Sequence, residues 1–260
     1  MMIGLGLFGL WLVLAAVALV STLVAVGVIW LANRILGDRA RGEINSSLDP
    51  FITIVALVYG ALLGFTVVVA WEQFSSAETN VGNEASTLTT MYRQTVGMPQ
   101  SEQANLRKLL RDYAVAVKDR EWSESGGVAS EAARGAIDEM YRVLGSHQGE
   151  SSAASQEFQS QLTVLASARN ERILDAQPRV PWLLWFGLIF GGVVLVGLTG
   201  FLQLPSVRGH VGLTGVVAVL LGLLLFIVYT LDHPFGSQIG VTSVPFERAQ
   251  AAFDAIDRGR

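Results

Sequence analysis

Four stretches of this chain carry no charged residue, and each is long enough to cross a bilayer. They run from Met2 to Ala32, Phe51 to Trp71, Trp182 to Leu204 and Val211 to Leu231. A helix needs roughly 20 apolar residues to span the hydrocarbon core, and a charge at mid-bilayer is costly. Charged residues make up only 15% of the chain, against about 25% in an average soluble domain. The deficit is confined to these windows, and the sequence between them is ordinarily polar. The pattern predicts an all-α membrane protein with four transmembrane helices arranged as two hairpins. The first window is not a secretory signal on this reading. Its start, Met1-Met2-Ile3-Gly4-Leu5, lacks a basic residue, and its apolar run is longer than such a signal requires.

The predicted organisation has four parts. Residues 1–71 form a first transmembrane hairpin, with spans at about 3–32 and 51–71 joined by a loop from Asn33 to Pro50. Residues 72–181 form a helical soluble block that continues from the second span. Residues 182–231 form a second hairpin, with spans at about 182–204 and 211–231 joined by Pro205 to His210. Residues 232–260 are a turn and an amphipathic tail. Four spans place both termini and the block on one side. The chain is expected in the cell (inner) membrane as a multi-pass protein, with the lipid bilayer as its first partner.

The block reads as helical, since apolar residues recur at helical spacing and period-two alternation is nearly absent. One stripe is Leu106, Leu109, Leu110, Tyr113 and Val117, with Ser101 as its expected cap and the Ser-Gly run at 123–127 as its end. A second is Ile137, Met140, Tyr141 and Leu144, stopped by Gly145. A third is Phe158, Leu162, Leu165, Ile173 and Ala176, stopped by Pro178 and Pro181. After Trp71 no proline interrupts the chain, and Phe74, Ala77, Val81, Ala85, Leu88 and Tyr92 make one stripe. A single helix is therefore predicted from about Phe51 to about Met98, roughly 70 Å long at 1.5 Å per residue. Arginines do not settle orientation. Arg34, Arg39, Arg41 and Arg208 lie in the short loops, against Arg169, Arg172, Arg179 and Arg248 on the other side.

Little in the sequence points to catalysis, and the chain is read as not an enzyme. There is no cysteine, which excludes disulfides and thiolate chemistry. His147, His210 and His233 make no metal-ligand pair at helical spacing, so no metal and no cofactor is expected. The spans contain no ionisable group, where a membrane-embedded enzyme would place one. A net charge of -4 gives no footprint for nucleic acid.

The second span is the most informative segment. Gly60 and Gly64 are four apart and share a helix face. Tyr59, Thr66 and Trp71 are its polar or amphipathic side chains, with Phe65 beside them. One reading is a packing groove for a neighbouring helix, with Trp71 at the membrane interface. The other is a pore lining, in which aromatic and aliphatic rings gate by dewetting and small residues set the width. Beyond it, Glu78 and Glu84 flank the apolar stripe. They are carboxylate-ring candidates if that helix faces a symmetry axis, and a solvated rim if it packs in a bundle. At the far end, Asp232, Pro234, Phe235 and Gly236 form a turn that stops the fourth helix. Pro245 suits the first turn of a new helix, on which Phe246, Ala249, Phe253 and Ile256 fall on one side.

Three stretches resemble the bestrophin-like membrane proteins of bacteria. They are "YGALLGFTVVVAWEQFSSAETNVGNEASTLTTMYR", the tryptophan-led span from Trp182, and "LDHPFGSQIGVTSVPFERA". The order and spacing fit over nearly the whole chain. The resemblance implies kinship with bestrophins, pentameric anion or cation channels with four spans per subunit, a second span lining the pore, and a cytoplasmic polar block and termini. It would place Tyr59, Gly60, Gly64 and their neighbours in the pore, with inorganic ions as cargo and a homo-oligomer as the working form. Calcium-activated bestrophins carry an acidic cluster after the last span. Here only Asp232 remains, so calcium gating is not implied. The expectation is an oligomeric ion channel, set against a membrane-anchored scaffold or sensor whose helical block binds a protein partner.

Overall fold

The computed structural model describes residues 2–36, 43–122, 129–145, 153–202, 206–235 and 240–259. Helix is the only regular structure among them. In order these are α1 (Met2–Leu36), α2 (Glu43–Gln94), α3 (Gln100–Ala116), α4 (Glu131–Gly145), α5 (Ala153–Asp175), α6 (Trp182–Phe201), α7 (Val207–Asp232) and α8 (Val244–Arg258). Four of them, α1, α2, α6 and α7, are long and apolar enough to cross a membrane. Helix is what such segments must adopt, because hydrocarbon leaves backbone N–H and C=O groups no other partner.

Boundaries depart from expectation where proline is involved. Pro50, expected in a loop, lies inside α2, which begins at Glu43. The missing N–H of a proline leaves one carbonyl unpaired a turn earlier but does not by itself end a helix held by its neighbours. At its other end α2 stops at Gln94 and tightens into a 3₁₀ turn, Thr95–Gly97. Pro99 forces this, because the residue before a proline is pushed to extended backbone, and Met98 sits at φ -99, ψ 159. Pro99 is then the N-cap of α3, not Ser101, which lies inside the first turn.

The chain divides into two compact units. Unit 1 comprises residues 1–72 and 179–232, and unit 2 comprises residues 73–178 and 233–260. In unit 1, α1 packs on α7 and α6, and α6 on α7. The contacts are made where glycine lets backbones approach, as expected where lipid removes the hydrophobic drive between helices. A Cβ placed on Gly200 would lie 2.4 Å from Val28 Cγ1, and one on Gly222 would lie 2.3 Å from Ser21 Oγ. The Tyr59 ring rests on Gly191 and Gly192 in the same way. Tyr59 and Leu63 join Leu188, Leu195 and Val228 in one core, and Ala25, Val196 and Ala218 form a second.

In unit 2 the stripe of α2 is buried as its spacing predicts, through Ala77, Val81, Ala85, Leu88 and Tyr92. It packs with Leu106, Leu110, Tyr113, Met140, Phe158, Leu162 and the tail residues Phe246, Ala249 and Phe253 of α8. Tyr92 stacks on Phe253 at 4.2 Å, and its hydroxyl donates to Asp257 at 2.6 Å. Arg111 then bridges Asp254 and Asp257 at 2.7 and 2.8 Å. The α5 stripe departs from expectation. Beyond Leu165 its inward line runs through Ala168, Arg169, Arg172 and Asp175, while Ile173 is half-buried and Ala176 falls beyond the helix. The end expected for α3 at 123–127 lies outside the described residues.

The glycine contacts generate a size-swap test. Gly200→Ala overpacks against Val28 and should destabilise by about 1–3 kcal/mol. Adding Val28→Ala should restore most of that loss. Both are read as thermal unfolding of the detergent-solubilised chain.

Candidate functional site

The α2 residues proposed for a pore divide into two groups. Gly60, Gly64, Phe65 and Trp71 are exposed, with Phe65 at 74%. A Cβ on Gly60 or Gly64 would meet nothing within 4 Å. Among the described residues these glycines therefore form no packing groove within the protomer. Tyr59 and Thr66 are buried instead. Thr66 turns its hydroxyl onto the Leu62 carbonyl at 2.8 Å. The Tyr59 hydroxyl, held against α6, has no partner among the described residues. Within a single protomer the two point away from any outward-facing lining.

The two acidic candidates also separate. Glu78 is exposed. Glu84 is fully buried and not available to a charge ring. Its Oε2 accepts from Arg172 Nε at 2.6 Å, and its Oε1 from the Tyr113 hydroxyl at 2.5 Å. The reason lies in the fold of α5, which delivers a guanidinium to that point from the line Phe158, Leu162, Leu165, Arg169, Arg172.

Arg172 is the centre of a buried ionic cluster. Its Nη2 donates to Glu121 Oε2 at 2.5 Å, and Arg169 Nη2 reaches the other oxygen of Glu121 at 2.8 Å. The Ser130 N–H adds a third bond to Glu121 at 2.7 Å. The Arg172 guanidinium lies over the Trp122 ring at 5.5 Å, a favourable partner for a cation deprived of water. Two arginines thus face two carboxylates, and the pairing makes burial tolerable. Burial alone would push the Glu121 carboxyl up, but Arg172, the Ser130 N–H and Arg169 outweigh it and hold the group below its ordinary value of 4.5. Burial and the adjacent Glu84 drive the Tyr113 hydroxyl well above its ordinary range, so it stays protonated and donating.

The segment that carries Glu121 does not end as an ordinary helix. Residues Val117–Trp122 form a π turn. Trp122 is nine residues after Tyr113, which in α register would point it about 180° away. Glu121, four residues beyond the buried Val117, faces inward in either register, whereas the wider i→i+5 turn brings Trp122 toward the core. There its Nε1–H donates to the Val241 carbonyl at 3.1 Å, and its ring meets Phe235 edge-on at 5.3 Å.

The turn residues expected after the last span are placed as follows. In unit 1, Asp232 Oδ1 accepts the backbone N–H groups of Arg179 and Val180, each at 2.9 Å, and its Oδ2 accepts from Trp185 Nε1 at 3.2 Å. The end of α7 is thereby pinned to the start of α6. In unit 2, the Pro234 carbonyl accepts the Val241 N–H at 2.8 Å, and Phe235 is buried. Gly236 lies outside the described residues. Among the described residues no group of His, Cys, Asp and Glu is arranged to hold a metal ion. His210 is buried with a ring nitrogen 3.1 Å from the Thr199 carbonyl.

An all-helical chain with four membrane-length apolar helices and a second unit closed around buried arginines defines a class of membrane protein. A family model described as the Bestrophin-like domain matches residues 10–246, and the chain belongs to that family. Among solved structures it is similar to a bacterial bestrophin homolog from Klebsiella pneumoniae, at 13% identity, TM-score 0.71, covering 93% of this chain and 97% of that one. Two single-residue variants of that Klebsiella protein match at 12% and 14% identity, with TM-scores of 0.72 and 0.69. They cover 94% and 92% of this chain and 98% of each of theirs. Comparison with curated proteins found no match.

Removing Arg172 would leave two buried carboxylates short of a counter-charge. Arg172→Ala should cost about 3–5 kcal/mol by chemical unfolding. Arg172→Lys should recover only part, since an ammonium does not reproduce the planar fork. Acid provides a second test. Because the folded Glu121 carboxyl is depressed, its stabilisation is complete above 4.5 and is lost as pH falls through the lower folded value. Stability followed by unfolding midpoint should drop in that acid window, and Glu121→Gln should flatten the drop.

Proposed function

We propose that this protein is an oligomeric ion channel whose α2 lines the pore. The observation that carries the reading is the outward face of α2, where Gly60 and Gly64 meet no side chain among the described residues and Phe65 and Trp71 stand exposed. Membership of the bestrophin-like family supports it. In this reading the spans form two hairpins with the helical block inserted between them, several copies, five by family likeness, surround the pore, and the assembly sits in the inner membrane. Aliphatic and aromatic rings at the narrow part would gate by dewetting, with the glycines setting the width. Glu78 is the remaining charge-ring candidate, and its carboxylates would favour cations near the axis.

Purified protein in liposomes should release trapped salt faster than empty vesicles. Gly64→Phe should leave the protomer folded, because that position is open within it, yet reduce flux about tenfold by narrowing a dewetted constriction. Glu78→Gln should lower the preference for cations over anions in reversal-potential measurements. Absence of flux above empty vesicles, or a monodisperse monomer in mild detergent, would sink the proposal.

A further inference from the structure

One stripe of α1 is exposed along its length and ends in a tryptophan and an arginine. Leu19, Leu23, Val26, Trp30 and Arg34 follow one another at steps of three and four, so they share one side of the helix. Leu19 and Leu23 are each 62% exposed and Trp30 is 61% exposed. The packed side of α1 is turned away from them, through Ala25 and Ile29. Because α1 packs on α6 and α7, this stripe is not the α2 face assigned to the pore. From Leu19 to Trp30 the helix rises about 16 Å at 1.5 Å per residue. Half of a hydrocarbon core about 30 Å thick is about 15 Å, so the apolar part of the stripe matches one leaflet.

Trp30 falls where an indole is favoured, at the boundary between tails and headgroups. Arg34 stands one turn further out, past the apolar window Leu14–Leu31. Its guanidinium lies over the Trp30 ring at 5.4 Å, a contact that orients a cation without using its N–H groups. Among the described residues no oxygen accepts from those N–H groups and no carboxylate pairs with Arg34. Arg208 is a second exposed cation at the same end. Gly200 admits Val28, and a His210 ring nitrogen lies 3.1 Å from the Thr199 carbonyl, so these residues share one level. Arg34 follows Val28 and Arg208 precedes His210, and since α7 runs back from that level to set Gly222 against Ser21, both arginines lie toward one membrane face. Arg208 also has no carboxylate partner among the described residues.

We infer that this stripe binds one phospholipid with an anionic headgroup, its chain along Leu19, Leu23 and Val26 and its phosphate on the Arg34 guanidinium. A planar fork with its N–H groups unspent matches phosphate oxygens in pairs, and Arg208 raises the positive potential nearby. The leaflet-long apolar stripe selects a membrane lipid over a free phosphate, and the uncompensated arginines select an anionic lipid over a neutral one. The inference concerns unit 1 alone and does not rest on ion conduction.

Native mass spectrometry of the full chain released from mild detergent tests it, with phosphatidylglycerol and phosphatidylcholine of the same acyl chains as probes. The native chain should hold phosphatidylglycerol about fivefold more tightly, the worth of one interfacial cation. Arg34→Gln should remove most of that preference. Trp30→Leu keeps the apolar stripe and the arginine but loses the ring beneath it, and should cut the preference about two- to fivefold. Arg93→Gln, at an exposed arginine of unit 2, is the control and should change nothing. Equal retention of the two lipids overturns the inference, as does a preference that survives both Arg34→Gln and Trp30→Leu. A preference that falls as far in Arg93→Gln reports diffuse charge and overturns it too. If Arg34→Gln does not fold, Trp30→Leu decides alone. Inorganic phosphate at matched ionic strength is the separating arm: displacement of the lipid by it would mark a site for soluble anions and overturn the lipid reading.

Discussion

A guanidinium that cannot be deprotonated sits fully buried in unit 2, and the arrangement of that unit follows from having to match it. Arg172 stays charged at any accessible pH, so its environment must supply carboxylates in the right places. Glu84 comes from α2, Glu121 from the π turn after α3, and the aromatic face from Trp122. Together with α5, which carries Arg172, three separate segments are therefore fixed in rotation as well as in position, since a carboxylate with both oxygens engaged cannot be replaced by a neighbour a third of a turn away. Net stabilisation is not the argument, because burying ion pairs is often no better than burying apolar groups of equal size. What the cluster supplies is uniqueness: other packings of the same helices leave a charge unmatched.

Unit 1 reaches a unique packing by the opposite means. Its spans contain no charge to match, and lipid tails are as apolar as its own leucines, so burial alone does not select partners. Selection comes from shape. Gly200 admits Val28, Gly222 admits Ser21, and the Gly191–Gly192 pair admits the Tyr59 ring. At the ends of the spans, where water returns, a carboxylate reappears. Asp232 gathers two backbone N–H groups and the Trp185 indole that would otherwise be left unpaired at the entry to α6.

Much of this was legible in the sequence, and the parts that were not share a cause. The four spans, the long α2, the tail helix and the family all follow from apolar periodicity and from stretches that keep their order. The ionic cluster was missed because charged residues were read as solvated. Yet its members stand on the apolar stripes. Arg169 and Arg172 continue Phe158, Leu162 and Leu165 at alternating steps of four and three. Glu84 falls between Val81 and Leu88, and Glu121 is four beyond Val117. A charge at a core position, matched by an opposite charge at a core position on another helix, was the available signal. It also bears on orientation, because Arg169 and Arg172 entered the flanking count although they are core residues.

The same arithmetic explains why Glu78 and Glu84 take different fates although both border one stripe. Six residues at about 100° each place them roughly 240° apart around α2. Glu84 lies within about 40° of the line through Ala77, Val81 and Leu88, whereas Glu78 lies about twice as far from it on the other side. A long side chain near the centre of a packed stripe is enclosed whatever its charge, and the fold must then bring a partner. One beyond its edge keeps its water. Proximity to a stripe is therefore a poor guide to exposure, and the angular offset decides which carboxylate stays free to meet an ion.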